Sequence, residues 1–141
     1  MILKDIMSRE IACVNSNDSI EKAAQLMKQY NVGSIPICNQ NEVIGIVTDR
    51  DIALRSVANG QYQQSVGDIM TKNPVTGTPD MDVHEAAKIM GEKQIRRLPV
   101  VENKSLVGIV SLGDISVEPK LQDNAEEALK SISQSTANRF S

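Results

Sequence analysis

Two stretches of the chain place a hydroxyl and a carboxylate three residues apart directly after a Gly-Ile-Val run. They are Gly45-Ile46-Val47-Thr48-Asp49-Arg50-Asp51 and Gly108-Ile109-Val110-Ser111-Leu112-Gly113-Asp114. Where a strand turns into a helix, Thr48 or Ser111 as N-cap leaves free backbone N–H groups and a partial positive charge, which suit phosphate oxygens. The carboxylate of Asp51 or Asp114, one turn in, can accept hydrogen bonds from two neighbouring ribose hydroxyls, a geometry that a diol meets and a lone alcohol does not. The implied chemistry is recognition of a diol plus an anion. The same spacing also reads as a capping box, in which the acid returns to the cap residue's N–H and nothing binds. Its recurrence in two places, each directly after the same strand pattern, weighs for the ligand.

Three guanidinium groups belong to the same neighbourhood. Arg50 sits inside the Thr48 motif, and Arg96-Arg97 precede Leu98-Pro99-Val100; planar guanidinium forks suit phosphates. The alternative for Arg96 and Arg97 is a solvated face shared with Glu92 or Glu102. Where the second stretch has Arg96-Arg97, the first has Gly33-Ser34, so the two sites are chemically unequal and one should bind more strongly. His84, the one histidine, has no Cys, Asp or Glu at metal-ligand spacing and reads as a surface residue. No Walker-type glycine loop, nucleophile elbow or Cys-x-x-Cys pair occurs, so no catalytic machinery and no required cofactor or metal are expected.

The elements that must position these residues follow from an internal repeat. Asp5-Ile6-Met7-Ser8 is echoed 63 positions on by Asp68-Ile69-Met70-Thr71. At the same offset Ala23-Ala24 with Met27 returns as Ala86-Ala87 with Met90, and Pro36 returns as Pro99. Each copy predicts strand, helix, strand, strand, helix. Ser19 is the expected N-cap of a helix carrying Ile20, Ala23, Ala24 and Met27, and Asp82 with Glu85 heads its counterpart. Ser34 to Cys38 and Val43 to Thr48 predict a hairpin around Asn39-Gln40-Asn41, repeated around Asn103. A second helix is expected from Asp49 to Gly60. Residues 1–60 are thus read as repeat 1, 61–67 as linker, 68–117 as repeat 2, and 118–141 as a polar tail, with a weak helix over Asp123 to Ile132 and no assigned chemistry. Copies this small favour packing as a pseudo-two-fold pair in an α/β (α+β) fold.

Composition narrows the function classes. Of 141 residues, 40% are hydrophobic and 23% charged, as in ordinary globular domains. Tyr30, Tyr62 and Phe140 are the only aromatics, so the core must be aliphatic and base stacking has almost no supply. A net charge of −3 and an isoelectric point near 5.2 argue against nucleic acid as the ligand. No apolar run approaches the roughly 18 to 20 residues that cross a bilayer, and the first residues lack signal-peptide character, so a cytoplasmic location and no membrane partner are expected. Cys13 and Cys38 read as reduced core residues.

These motifs resemble a tandem pair of CBS domains, a Bateman module, as found in stand-alone bacterial-type proteins of that family. The resemblance covers residues 3–116. It rests on Asp-Ile-Met at each start, Ala-Ala-x-x-Met on the helix, Ile35-Pro36-Ile37 and Leu98-Pro99-Val100, and Gly-Ile-Val-[Thr/Ser]-x-x-Asp at each end. It implies β-α-β-β-α units holding AMP, ADP, ATP or another adenosine compound such as S-adenosylmethionine in the cleft between the repeats. By position, Asp51 and Asp114 would take the ribose hydroxyls, Thr48 and Ser111 the ribose or phosphate, and Arg96 with Arg97 the phosphates. Segments around Ala12 to Val14 and Val75-Thr76, with Ile35-Pro36 and Leu98-Pro99, would flank the adenine. The resemblance further implies a homodimer acting on an effector protein. The other readings are a structural dimerisation module with empty sites, an enzyme acting on a nucleotide, and a binder of NAD or nucleic acid.

Overall fold

The computed structural model describes residues 1–61, 63–116 and 125–133. The tail expectations beyond residue 133, and those for residues 118–124, lie outside them. The elements are helix α1 (Leu3–Ile6), α2 (Ile20–Tyr30), strands β1 (Ser34–Asn39) and β2 (Glu42–Thr48), helix α3 (Asp49–Asp51) running into a π-helical turn (Ile52–Val57), α4 (Val66–Ile69), β3 (Thr71–Lys72), α5 (Val83–Lys93), β4 (Arg97–Glu102), β5 (Ser105–Ser111) and α6 (Leu112–Ser116). A further helix, α7, spans 125–133. The architecture is mixed α/β with antiparallel strands, as the repeat predicts.

Local chemistry explains why these elements form where they do. Ser19 Oγ accepts from the Lys22 N–H at 3.1 Å and caps α2, while Asp82 Oδ1 accepts from the His84 N–H at 2.8 Å and caps α5. Asn31 and Gln94 end these helices in the left-handed conformation (φ 53° and 59°). Both hairpins turn on consecutive left-handed residues, Gln40-Asn41 and Asn103-Lys104, the geometry that matches strand twist. The helix expected from Asp49 to Gly60 departs from a regular α-helix: the Ala58 N–H reaches back five residues to the Ala53 carbonyl at 2.9 Å.

The chain divides into two compact units, and these do not follow the sequence repeats. One unit, built on the β1–β2 hairpin, comprises Ile11–Pro74 with Lys104–Leu106; the other, built on β4–β5, comprises Met1–Glu10, Val75–Asn103 and Val107–Ser141. The opening Asp-Ile-Met segment of each copy therefore packs with the other copy's hairpin. In the β1–β2 unit, Val66 and Ile69 of α4 join Val14, Ile20, Ala23, Met27, Ile35, Ile37 and Val47 in the core. There β3 pairs with β2 through Ile46↔Thr71. In the β4–β5 unit, Leu3 of α1 joins Val83, Ala86, Met90, Leu98, Val100, Val110 and Ile115, and Ser8 bridges Ile109.

The exchange explains two repeated residue types. A Cβ on Gly45 would stand 2.5 Å from Met70 Sδ and 2.9 Å from the Thr71 carbonyl oxygen, and one on Gly108 would collide with Met7 Sδ in the same way. Each Gly of Gly-Ile-Val accordingly admits the Met of the other copy's Asp-Ile-Met. The aspartate of that motif secures the turn: Asp5 Oδ2 accepts from the Ile2 N–H at 3.2 Å, and Asp68 Oδ2 from the Ser65 N–H at 3.1 Å. Helix α7, expected to be weak, buries Ala125, Ala128 and Ile132 in the β4–β5 core, with Ala128 Cα 3.2 Å from where a Cβ on Gly91 would lie.

Candidate functional site

Both hydroxyl–carboxylate pairs form reciprocal caps. The Thr48 N–H donates to Asp51 Oδ2 at 3.0 Å, and the Asp51 N–H donates to Thr48 Oγ1 at 3.0 Å. In the other unit the Ser111 N–H donates to Asp114 Oδ2 at 2.9 Å, and the Asp114 N–H to Ser111 Oγ at 3.1 Å. The capping-box reading is therefore correct as a description of local structure. It does not exhaust the acids, since each box uses Oδ2 alone. Asp51 Oδ1 lies 3.7 Å from Arg55 Nε, whereas Asp114 Oδ1 has no partner among the described residues. Both aspartates are half-buried, so the cap fixes a carboxylate whose second oxygen can accept from a ligand.

The strand starts are tied to these caps. The Asp49 N–H donates to the Gly33 carbonyl at 2.9 Å, and at the equivalent place the Leu112 N–H donates to the Arg96 carbonyl at 3.0 Å. In the β4–β5 unit this sets Arg96 and Arg97 beside Ser111 and Asp114. Arg96 is exposed and Arg97 half-buried. The ion pairs among the described residues are Lys22–Asp18 and Arg55–Asp51, so neither Glu92 nor Glu102 neutralises them there. Arg96, Leu112, Gly113 and Ser116 line a cavity of about 460 Å³ whose far wall is Ala125, Glu126 and Leu129 of α7. That volume falls in the range of small-molecule sites.

The β1–β2 unit gathers Ala12, Val14, Ile35, Pro36, Thr48, Arg50 and Asp51, and the other unit gathers Val75, Thr76, Arg96, Arg97, Leu98, Pro99, Ser111 and Asp114. Each unit adds a short parallel bridge beside its first hairpin strand. The Val14 N–H donates to the Pro36 carbonyl at 3.1 Å and the Gly77 N–H to the Pro99 carbonyl at 2.9 Å. Ala12, Val75 and Thr76 are partly exposed on these segments. Ile35, Leu98 and Val14, at 1%, 0% and 3% exposure, place their side chains in the cores, so these segments offer a ligand chiefly their backbone. Pro36 and Pro99 are buried as well. Both first hairpin strands are buried on both faces over consecutive residues, Ile35 to Cys38 and Leu98 to Val100.

Sequence reasoning also passed over Asp49. A Cβ on Gly33 would sit 3.2 Å from Asp49 Oδ2, so this carboxylate lies over the strand start that lacks arginine. At the offset of 63, Gly33 and Asp49 correspond to Arg96 and Leu112. Aligning the copies for their differences would have found the pair.

A family model described as the CBS domain matches residues 3–57 and again 66–118. The chain belongs to the CBS-domain family. Among CBS relatives, the CBS domain-containing protein YhcV of Bacillus subtilis is 46% identical over 132 residues, covering 93% of this chain and 94% of that protein. The crystal structure of the CBS domain pair of protein MJ0100, in complex with 5′-methylthioadenosine and S-adenosyl-L-methionine, is similar with a TM-score of 0.75 and 34% identity, covering 83% of this chain and 94% of that one. The structure of CBSX2 in complex with AMP matches with a TM-score of 0.73 and 28% identity over 86% of this chain and 97% of that one. As in those solved proteins, the matched region here is a CBS domain pair. Among the described residues no helix is long and apolar enough to cross a membrane.

Proposed function

We propose that this CBS pair is a non-catalytic regulatory module that binds an adenosine-containing nucleotide at its capped strand-to-helix turns and passes occupancy on to a partner protein. The observation that carries the reading is the Ser111–Asp114 cap tied through Leu112 to the Arg96 carbonyl. It holds a carboxylate with one open oxygen at the turn to which the Arg96-Arg97 strand start is tied, a residue set complementary to a ribose diol and a phosphate. Solved relatives in complex with AMP, and with S-adenosyl-L-methionine and 5′-methylthioadenosine, support an adenosine ligand. A phosphorylated one fits this chain best, because the arginines have no described anionic partner. The β4–β5 unit holds the tighter site and the β1–β2 unit, with Asp49 at its mouth, the weaker one.

Thermal unfolding with AMP, ADP, ATP, NAD, S-adenosylmethionine and GTP tests the proposal. A ligand at about a hundred times its dissociation constant adds roughly 2.7 kcal/mol, several degrees for a chain of this size. Asp114→Ala removes a charge-assisted hydrogen bond worth about 1.5 to 3 kcal/mol, so the affinity should fall roughly ten- to a hundred-fold. The same change also loosens the cap, so each variant is compared with itself, with and without ligand. A shift with one adenosine compound, absent with GTP and diminished in Asp114→Ala, is the expected result. The engagement of both aspartates in caps favours a second reading, a dimerisation module without ligand. No shift with any nucleotide would favour that reading instead.

A further inference from the structure

Cys13 and Cys38 are not the two separate core residues that their apolar surroundings suggest. Cys13 is exposed, Cys38 is buried, and both are free thiols. The Val14↔Ile37 parallel bridge puts position 13 opposite 36, so Cys38 is its diagonal neighbour on the same face. The Cys38 N–H donates to the Val14 carbonyl at 2.8 Å, which fixes the two backbones at this point. The two side chains stand close enough for the Cys13 thiol to act on the Cys38 thiol. Nothing in the proposed ligand chemistry uses either thiol. The equivalent positions in the other unit are Thr76 and Val101, so the arrangement belongs to the β1–β2 unit alone.

We propose that Cys13 and Cys38 are a redox-modification site, closing into an intramolecular disulfide when a peroxide reaches the exposed thiol. The Cys13 thiolate attacks one peroxide oxygen; the O–O bond breaks, the departing hydroxide takes up a proton to leave as water, and Cys13 becomes a sulfenic acid. The Cys38 sulfur then attacks the Cys13 sulfur, the S–O bond breaks, and the hydroxide leaves as water with the proton given up by Cys38. Two thiols are oxidised to one disulfide while hydrogen peroxide is reduced to two waters, and a dithiol reductant reverses the change by exchange. Burial, with the adjacent Cys13, pushes the Cys38 thiol up to about 12 and shields it from solvent, so the exposed Cys13 meets the oxidant first and Cys38 follows as its neighbour. The new bond would tether residues 11–14 to β1. Because that segment carries Ala12, oxidation becomes a second input to the weaker site, an extension that rests on the proposed function.

The full chain, reduced and then treated with a small excess of hydrogen peroxide, tests the bond without reference to any nucleotide. The expected product is a monomer lighter by two hydrogen atoms, with Cys13 and Cys38 peptides joined, no thiol left to alkylate under denaturing conditions, and full reversal by dithiothreitol. Its unfolding midpoint should rise by several degrees because the bond closes a loop in the unfolded chain. Cys13→Ser, at an exposed position, should fold as the parent does and keep the Cys38 thiol after the same treatment. Addition of two oxygens at Cys13 with Cys38 still free, or chains cross-linked through Cys13, would overturn the proposal.

Discussion

The two units use one backbone device for unequal purposes. Each ends its hairpin in a reciprocal cap, Thr48–Asp51 or Ser111–Asp114, and each ties the cap to the strand start by one backbone hydrogen bond. Around that shared frame the side chains diverge. The β1–β2 unit sets the Asp49 carboxylate over Gly33 and brings Arg55 Nε to 3.7 Å from Asp51. The β4–β5 unit has Leu112 for the acid and Arg96 for the glycine, and leaves Asp114 Oδ1 open. The frame is common to both units and the decoration differs, and under the proposed function charge at these few positions ranks the two sites.

The comparison is broken most directly by removing the arginines. Arg96→Ala with Arg97→Ala should weaken the tighter nucleotide site by about a hundred-fold, two charge-assisted contacts' worth, in isothermal titration. An unchanged affinity would mean that the strand starts do not rank the sites. The converse change, Asp49→Leu, removes an acid from the weaker site and should strengthen its binding by a few-fold, bringing the two affinities closer.

Stability measurements sharpen what the units share. Gly45→Ala and Gly108→Ala should each cost about 1 to 3 kcal/mol in urea unfolding, because the added carbon meets a methionine from the other repeat and, at Gly45, a backbone carbonyl. Thr48→Ala and Ser111→Ala each remove one cap acceptor and should cost about 1 kcal/mol with no ligand present. A loss in only one unit would show that the caps are not equivalent.

The mildest effect separates the units by pH. The Cys38 thiol, raised from 9.0 to about 12 by burial, keeps its proton in the folded chain, whereas the unfolded chain releases it near 9. Folded stability from this thiol is complete below pH 9 and is lost as pH rises from there towards 12. Comparing Cys38→Ala with the parent in unfolding at about pH 8 and pH 9.5 should show a shallower alkaline decline in the variant.

Sequence alone determined what is decided within a few residues. Helical periodicity, the Ser19 and Asp82 caps, the left-handed hairpin turns and both hydroxyl–carboxylate boxes are local, and an offset of 63 made each visible twice. Tertiary structure decided what the repeat itself made ambiguous. Since Met7 and Met70 both suit Gly45 and Gly108, local rules accept either pairing. Only the folded chain puts Met70 on Gly45 and Met7 on Gly108. The inward turn of Ile35 and Leu98, the Asp49–Gly33 contact and the meeting of Cys13 with Cys38 were hidden for the same physical reason. Each depends on which face of a strand meets which neighbour across a long loop, and a residue's type does not encode that.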